Sequence, residues 1–200
     1  MKEVINMAKN EGYCEDCGHE AGKIAIKNHI IKKHNEGKYE CYLIQATSIY
    51  SGLPYWLLFS APKTSTLDEV DRLLRRVWCE CCGHMSGFFM GQYDEIDIDR
   101  KLSSFGIKST FRYDYDFGST TSLKLTIVDE VKSDKKGVQL LGRNKMPEHK
   151  CTFCDDEADY IDSYSDDFAC EKCHKKEEDD DSYWRRTANS PRMGVCGYEG

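Results

Sequence analysis

No stretch of this 200-residue chain approaches the roughly 18 continuous apolar residues that a membrane helix needs. The opening MKEVINMAKNEG has no apolar segment of the secretory kind, so the chain is expected in the cytoplasm, with no membrane contact. Basic charge is also short. A formal net charge of −7 argues against a strong, sequence-blind DNA binder, because phosphate contacts draw on a basic excess. No GxSxG, Walker or GxGxxG sequence occurs, and the DFG at 116–118 stands without a glycine loop, a strand lysine or an HRD motif. Enzymatic chemistry therefore has no positive signal, and no internal repeat is found.

Cysteine, by contrast, is abundant. There are 11, an odd number, and a reducing cytoplasm disfavours structural disulfides. Most stand in short paired spacings, which in a reduced chain argue for metal before redox chemistry. Cys14, Cys17, His29 and His34 follow Cys-x2-Cys-x11-His-x4-His, one residue shorter in the middle than the usual two-Cys two-His finger. A CxxC turn offers two thiolates and a helix two imidazoles, which together close a tetrahedral shell, with Ile26 as an apolar plug beneath. Cys151, Cys154, Cys170 and Cys173 form a second set, two CxxC pairs 15 residues apart, with His149 and His174 beside them as substitutes. Two zinc ions are expected.

The WCECCGH stretch is harder to read. Cys81 continues an apolar helix face, so core packing is the plain reading of it. Cys79, Cys81, Cys82 and His84 lie too close together to hold one zinc without distorting the helix end. A site completed by Cys196 of GVCGY is an alternative, and a reactive thiol another.

Three segments emerge from the patterning: a finger module over residues 1–37, an α+β domain over 38–145, and a four-cysteine module with an acidic run and a Gly/Pro tail over 146–200. In the middle segment, YECYLIQATSIY and YWLLFS read as strands with SGLP as their turn. Thr66 and Glu69 form a capping box for a helix whose apolar face is Leu67, Val70, Leu74, Val77 and Cys81, with Gly83 ending the run. FRYDYDF and SLKLTIV alternate as a hairpin across GSTT, and GFFM and VQLL are shorter strands. The fold class is α+β, ββαβββ, an antiparallel-rich sheet with a packed helix, flanked by two zinc-stapled modules. A domain of about 105 residues buries a core unaided, whereas segments of roughly 40–50 need a staple, and these are the cysteine-bearing ones. Asp114 and Asp116 read as a solvated strand face.

The stretches LPYWLLFSAPKTSTLDEVDRLLRRVW, ECCGHMSGF and YDYDFGSTTSLKL resemble, in this order, the plasmid pRiA4b ORF-3-like family, also described as insertion-element passenger proteins. The YDFG at 115–118 is the most recognisable mark, and NSPRMGVCGY at 189–198 matches a subset with a cysteine-rich tail, so the likeness spans about residues 38–198. It implies an α+β fold and no established activity. Where that subset carries a further CxxC between the outer pairs, this chain has ADYIDSYSDD, which favours one zinc in the tail. Cys82, His84, Tyr115 and Asp116, polar groups beside an apolar core, form a candidate ligand or partner site.

The leading functional reading is a cytoplasmic zinc-binding adaptor that binds protein or nucleic acid without catalysis, near mobile elements, defence or gene control on the strength of the family alone. Lys23, Lys27, Lys32 and Lys33 on the finger helix are the candidate nucleic-acid contacts, although one finger spans only about three base pairs. The acidic run between residues 155 and 181 would instead meet a basic protein. The alternatives are a metal-dependent enzyme with an open site near Cys79–His84, and a thiol redox sensor using Cys81 and Cys82.

Overall fold

A computed structural model describes residues 11–49, 55–177 and 183–200. Nine strands form one antiparallel sheet. The first two, β1 (Glu11–Cys14) and β2 (Glu20–Gly22), come from the Cys/His segment. The others are β3 (Tyr39–Ser48), β4 (Trp56–Pro62), β5 (Ser86–Met90), β6 (Asp94–Ile96), β7 (Thr110–Tyr115), β8 (Thr121–Ser133) and β9 (Gln139–Asn144). Their order across the sheet is β2-β1-β9-β4-β3-β8-β7-β5-β6. The α+β class is as expected, with β6 as a strand the sequence pattern does not announce. The SGLP turn lies outside the described residues.

The apolar run of β4 explains the layering. All seven of its residues are buried, so both faces of this strand are covered. On one face Leu57, Phe59 and Ala61 join Ile44, Leu125 and Ile127 beneath the helix α2 (Leu67–Leu74). On the other, Trp56 and Leu58 join Cys41, Leu43, Val131 and Leu141 beneath the finger helix α1 (Lys23–Lys33), which inserts Ile26 and Ile30. Fully burying an isoleucine is worth about 1.5–3 kcal/mol, so α1 is a structural cover as well as a carrier of histidines. Its strand is continuous with the domain, because β1 pairs with β9 from Gly12↔Asn144 to Cys14↔Gly142. Gly12 is required here: a Cβ would lie 2.3 Å from the Trp56 ring.

The start of α2 is as read from sequence. Thr66 and Glu69 form the capping box, with the Thr66 N–H donating to Glu69 Oε2 at 3.0 Å. Its end is not. The regular turns stop at Leu74 and continue as one wide π-type turn over Arg75–Cys79. This widened turn buries Trp78 and Cys79 and leaves Cys81 beyond the helix, where it still packs half-buried against the same core.

The remaining strands, β10 (Tyr160–Asp162), β11 (Phe168–Ala169) and β12 (Trp184–Arg186), make a three-stranded sheet in the order β11-β10-β12, with α3 (Glu171–Glu177) directly after β11 in the chain. Residues 187–200 then run back to the large sheet. Asn189 accepts hydrogen bonds on its main-chain carbonyl from Trp78 Nε1 and Arg143 Nη2, accepts one on Oδ1 from Asn144 Nδ2, and donates from Nδ2 to the Asn144 main-chain carbonyl.

Candidate metal centres

Three groups of four Cys and His side chains converge, each with its donor atoms within 4.8 Å of one another. A tetrahedron with metal–sulfur bonds of about 2.3 Å and metal–nitrogen bonds of about 2.0 Å has edges of roughly 3.3–3.8 Å. The observed separations fall close to that range, so the residues present fit a metal ion.

The first group is Cys14, Cys17, His29 and His34, the set read from spacing. Cys17 Sγ and His34 Nε2 each lie 3.1 Å from His29 Nε2. The turn between the cysteines is closed by the Gly18 N–H donating to the Cys14 carbonyl, with Gly18 at φ +71°. The second group is Cys151, Cys154, Cys170 and Cys173, also as read. Cys154 Sγ is 3.8 Å from both Cys170 Sγ and Cys173 Sγ. His149 and His174 are not substitutes for them. His149 is buried with its ring stacked on Phe168, and His174 stacks on Tyr160 at 4.0 Å.

The third group is Cys81, Cys82, His84 and Cys196. Cys82 Sγ lies 3.0 Å from His84 Nε2, 3.5 Å from Cys81 Sγ and 3.4 Å from Cys196 Sγ. Cys81 thus packs half-buried against the core and also belongs to this cluster, while Cys79 is fully buried. The structure offers three places for a metal where two ions were expected.

The loop carrying these ligands is fixed by charge and aromatic contacts. Buried Asp71 accepts hydrogen bonds from Arg75 Nε, Ser86 Oγ and Tyr113 OH. The Arg75 guanidinium in turn donates to Glu80, to the His84 carbonyl and to Ser86 Oγ, each at 2.8 Å. Tyr115 OH receives the N–H groups of Cys81 and His84 and donates to Glu80. The tail adds Arg192, whose side chain is fully buried. Its Nη2 donates to Asp116 Oδ2 at 2.7 Å and to Cys81 Sγ at 3.4 Å, and its Nη1 to the Ser119 carbonyl and Thr121 Oγ1. Both guanidiniums lie over the Tyr115 ring, 4.8 Å from its centroid.

Cys82, His84, Tyr115 and Asp116 are therefore brought together, with His84 Nε2 3.6 Å from Asp116 Oδ2. Asp114 and Asp116 are both buried, against the expectation of a solvated face. Asp114 pairs with Arg112 and Ser122, and Asp116 leaves the strand at φ +62° to meet Arg192. Arg192 and Arg75 escape the sequence reading because a single arginine in a tail or helix carries no local signal of its partner.

Charge within the clusters is unevenly shared. At Cys151 burial opposes ionisation, but backbone N–H groups of Cys170, Phe153 and Cys154 outweigh it and bring the thiol down to about 7. Burial, together with protons shared with Cys154 and Cys151, pushes Cys173 up to about 12. At Cys81 burial is outweighed by the Arg192 hydrogen bond and the value falls, whereas Cys82, its proton held by Cys196 and Cys81, rises to about 12. The Arg192 hydrogen bond also holds the Asp116 carboxyl down at about 2.

The finger lysines do not make one surface. A helix turns about 100° per residue, which puts Lys23 and Lys27 on one flank of the Ile26–Ile30 stripe, Lys33 on the other and Lys32 opposite. Lys32 and Lys33 are exposed, Lys23 and Lys27 half-buried, and burial lowers the Lys23 pKa. The three positions from which a finger helix reads bases are Gly22, Ala25 and Asn28, and only the last has a polar side chain.

Grooves of about 280, 450 and 220 Å³ mark the surface; none of these three is lined by a residue of the third cluster. No described helix is long and apolar enough to cross a membrane. No family model matches the chain, and no curated protein matches it. Among solved structures it is similar to a crystal structure titled as a protein of unknown function, MM3350 from Methanosarcina mazei Go1, at 19% identity over 52% of this chain and 67% of that one, with a TM-score of 0.42. A likeness of that extent carries no argument about what either protein does.

Proposed function

We propose that this chain is a zinc-binding adaptor that works by presenting a metal-stapled surface to a protein partner, without catalysis. The observation that carries the reading is the donor count: each of the three clusters supplies four protein ligands. A catalytic zinc keeps a position free for water or substrate, whereas a structural one is closed. Cys196 fills the position that the enzyme reading, with its open site near Cys79–His84, needs vacant. Thiolate and imidazole donors in a four-fold set suit zinc over harder cations. The thiol-sensor reading, which uses Cys81 and Cys82, has the exposure of Cys82 in its favour and is separated by metal release on oxidation.

Protein is favoured over nucleic acid as partner because the finger lysines point around the helix, two base-reading positions lack a polar group, and the net charge is negative. Membership of the pRiA4b ORF-3-like family and a role near mobile elements belong to this proposal on the sequence motifs quoted for them, and a cytoplasmic location on the opening MKEVINMAKNEG, which lacks an apolar segment.

Cobalt-substituted protein titrated with azide tests the closed-site reading. An absorption spectrum unchanged by the anion supports three saturated shells. A shift in the visible bands would mean an open coordination position and would bring the enzyme reading forward.

A further inference from the structure

We infer that Cys81, Cys82, His84 and Cys196 hold a third zinc ion and that this ion is a latch, tying the C-terminal tail onto the nine-stranded sheet. The inference rests on the metal-binding part of the reading above and goes beyond it, because it gives one centre a task that the other two do not share. The first and second centres each close within one short segment of chain. In the third, Cys196 stands 112 residues after His84 and 114 after Cys82. An ion held there joins two parts of the molecule that no neighbouring backbone joins.

The tail is shaped for this contact. Cys196 has φ +55°, in the left-handed region that a non-glycine residue adopts at some expense, and Gly194 two residues before it has φ +77°. The turn brings the Cys196 sulfur to 3.4 Å from Cys82 Sγ and 3.5 Å from His84 Nε2. Upstream, Arg192 delivers a buried guanidinium to Cys81 Sγ and Asp116. Shared between Cys81 Sγ and the Asp116 carboxylate, this guanidinium fixes the position of the Cys81 thiol from outside the ligand set. The contacts of Asn189 and Arg192, with Ser190 Oγ donating to the Trp78 carbonyl, anchor the first part of the tail, and buried Tyr198 anchors its end; the turn between them, with Cys196 and Gly197 exposed, is what the metal would hold.

Exposure sets the order of release. The first centre has Cys14 buried and the second has Cys151 and Cys170 buried. In the third, Cys82 and Cys196 are exposed and Cys81 and His84 half-buried. A chelator reaches this ion first.

Native mass spectrometry of the full chain, purified under reducing conditions, combined with hydrogen exchange during titration with a colorimetric zinc chelator, tests both parts. Three zinc ions are expected in the parent and two in Cys196→Ser, a change at an exposed position. The first equivalent released should coincide with loss of amide protection confined to residues 193–198, and cobalt loading should show a three-thiolate spectrum that Cys196→Ser removes. Two ions in the parent, both sensitive to Cys14→Ser and Cys151→Ser, overturn the third site and leave the adaptor reading standing. Three ions that persist in Cys196→Ser overturn it as well. A fall to two with protection of residues 193–198 unchanged overturns the latch. No bound zinc in the parent would remove the metal-binding reading together with it.

Discussion

The helices beside the two terminal metal clusters differ in what they bury. α1, which carries His29 and is capped by His34, puts Ile26 and Ile30 fully out of solvent against Trp56, Leu58 and Val131 of the large sheet. α3, which carries Cys173, has no fully buried side chain among its described residues, and its neighbouring strands form a separate three-stranded sheet. Similar CxxC turns therefore serve unequal purposes. In the finger a metal ion would position a helix that the sheet's own core also retains. In the tail module a metal ion would stand in for a core that some 50 residues cannot supply.

Loss of a ligand should break this comparison most visibly. Cys154→Ser should abolish folding of the three-stranded sheet while leaving urea unfolding of the nine-stranded one within about 0.5 kcal/mol of the parent, as expected for a change outside its core. Cys14→Ser should move the unfolding of the large sheet itself, because Cys14 is part of that core. Equal responses of the large sheet to both changes would dissolve the distinction.

Next in size is the connection between the two regions. Arg192→Ala leaves Asp116 a buried carboxylate without its cation, and losing one partner of such a pair costs about 3–5 kcal/mol. The urea midpoint should fall accordingly, and Arg192→Lys, which keeps the charge but not the forked donors to Asp116, Cys81 and Thr121, should recover only part of it.

The core contribution of α1 sharpens the contrast further. Ile30→Ala should cost about 2–4 kcal/mol in global unfolding, by lost transfer energy and the cavity left against Leu58 and Leu141. Lys172→Ala on α3 should change stability by less than about 0.5 kcal/mol. The smallest effect is expected from Lys32→Glu with Lys33→Glu, exposed positions whose replacement leaves zinc content and stability unchanged. If that pair nevertheless abolished binding to RNA or DNA in a salt-dependent shift assay, the finger would be a nucleic-acid contact after all.

Much of this molecule is readable from its sequence because its determinants are local. Thr66 and Glu69 are three residues apart, so one helical turn specifies their capping box. Each CxxC turn is closed by backbone geometry over a few residues, and the second ligand pair in each terminal set comes within about 20 residues. The alternation of β7 and β8 marks the hairpin for the same reason. Where the sequence misleads, a local pattern runs past the point at which the backbone keeps to it. Counting in steps of about 3.6 residues puts Cys81 on a helix face, but the wide turn over Arg75–Cys79 resets the phase. Strand alternation puts Asp114 and Asp116 on one face, but the strand ends at Tyr115 and the buried Arg192 covers Asp116.

The sequence by itself therefore determined the α+β class, the capped helix and the two metal sets whose ligands lie close along the chain, because periodicity and short spacings constrain neighbours strongly. Only the tertiary structure decided that the finger strand extends the large sheet, that α1 covers its second face, that Arg192 meets Asp116 76 residues away, and that Cys196 completes a cluster begun at Cys81. Contacts over such separations are selected by the burial and charge of the whole fold, and no repeat in the chain records them.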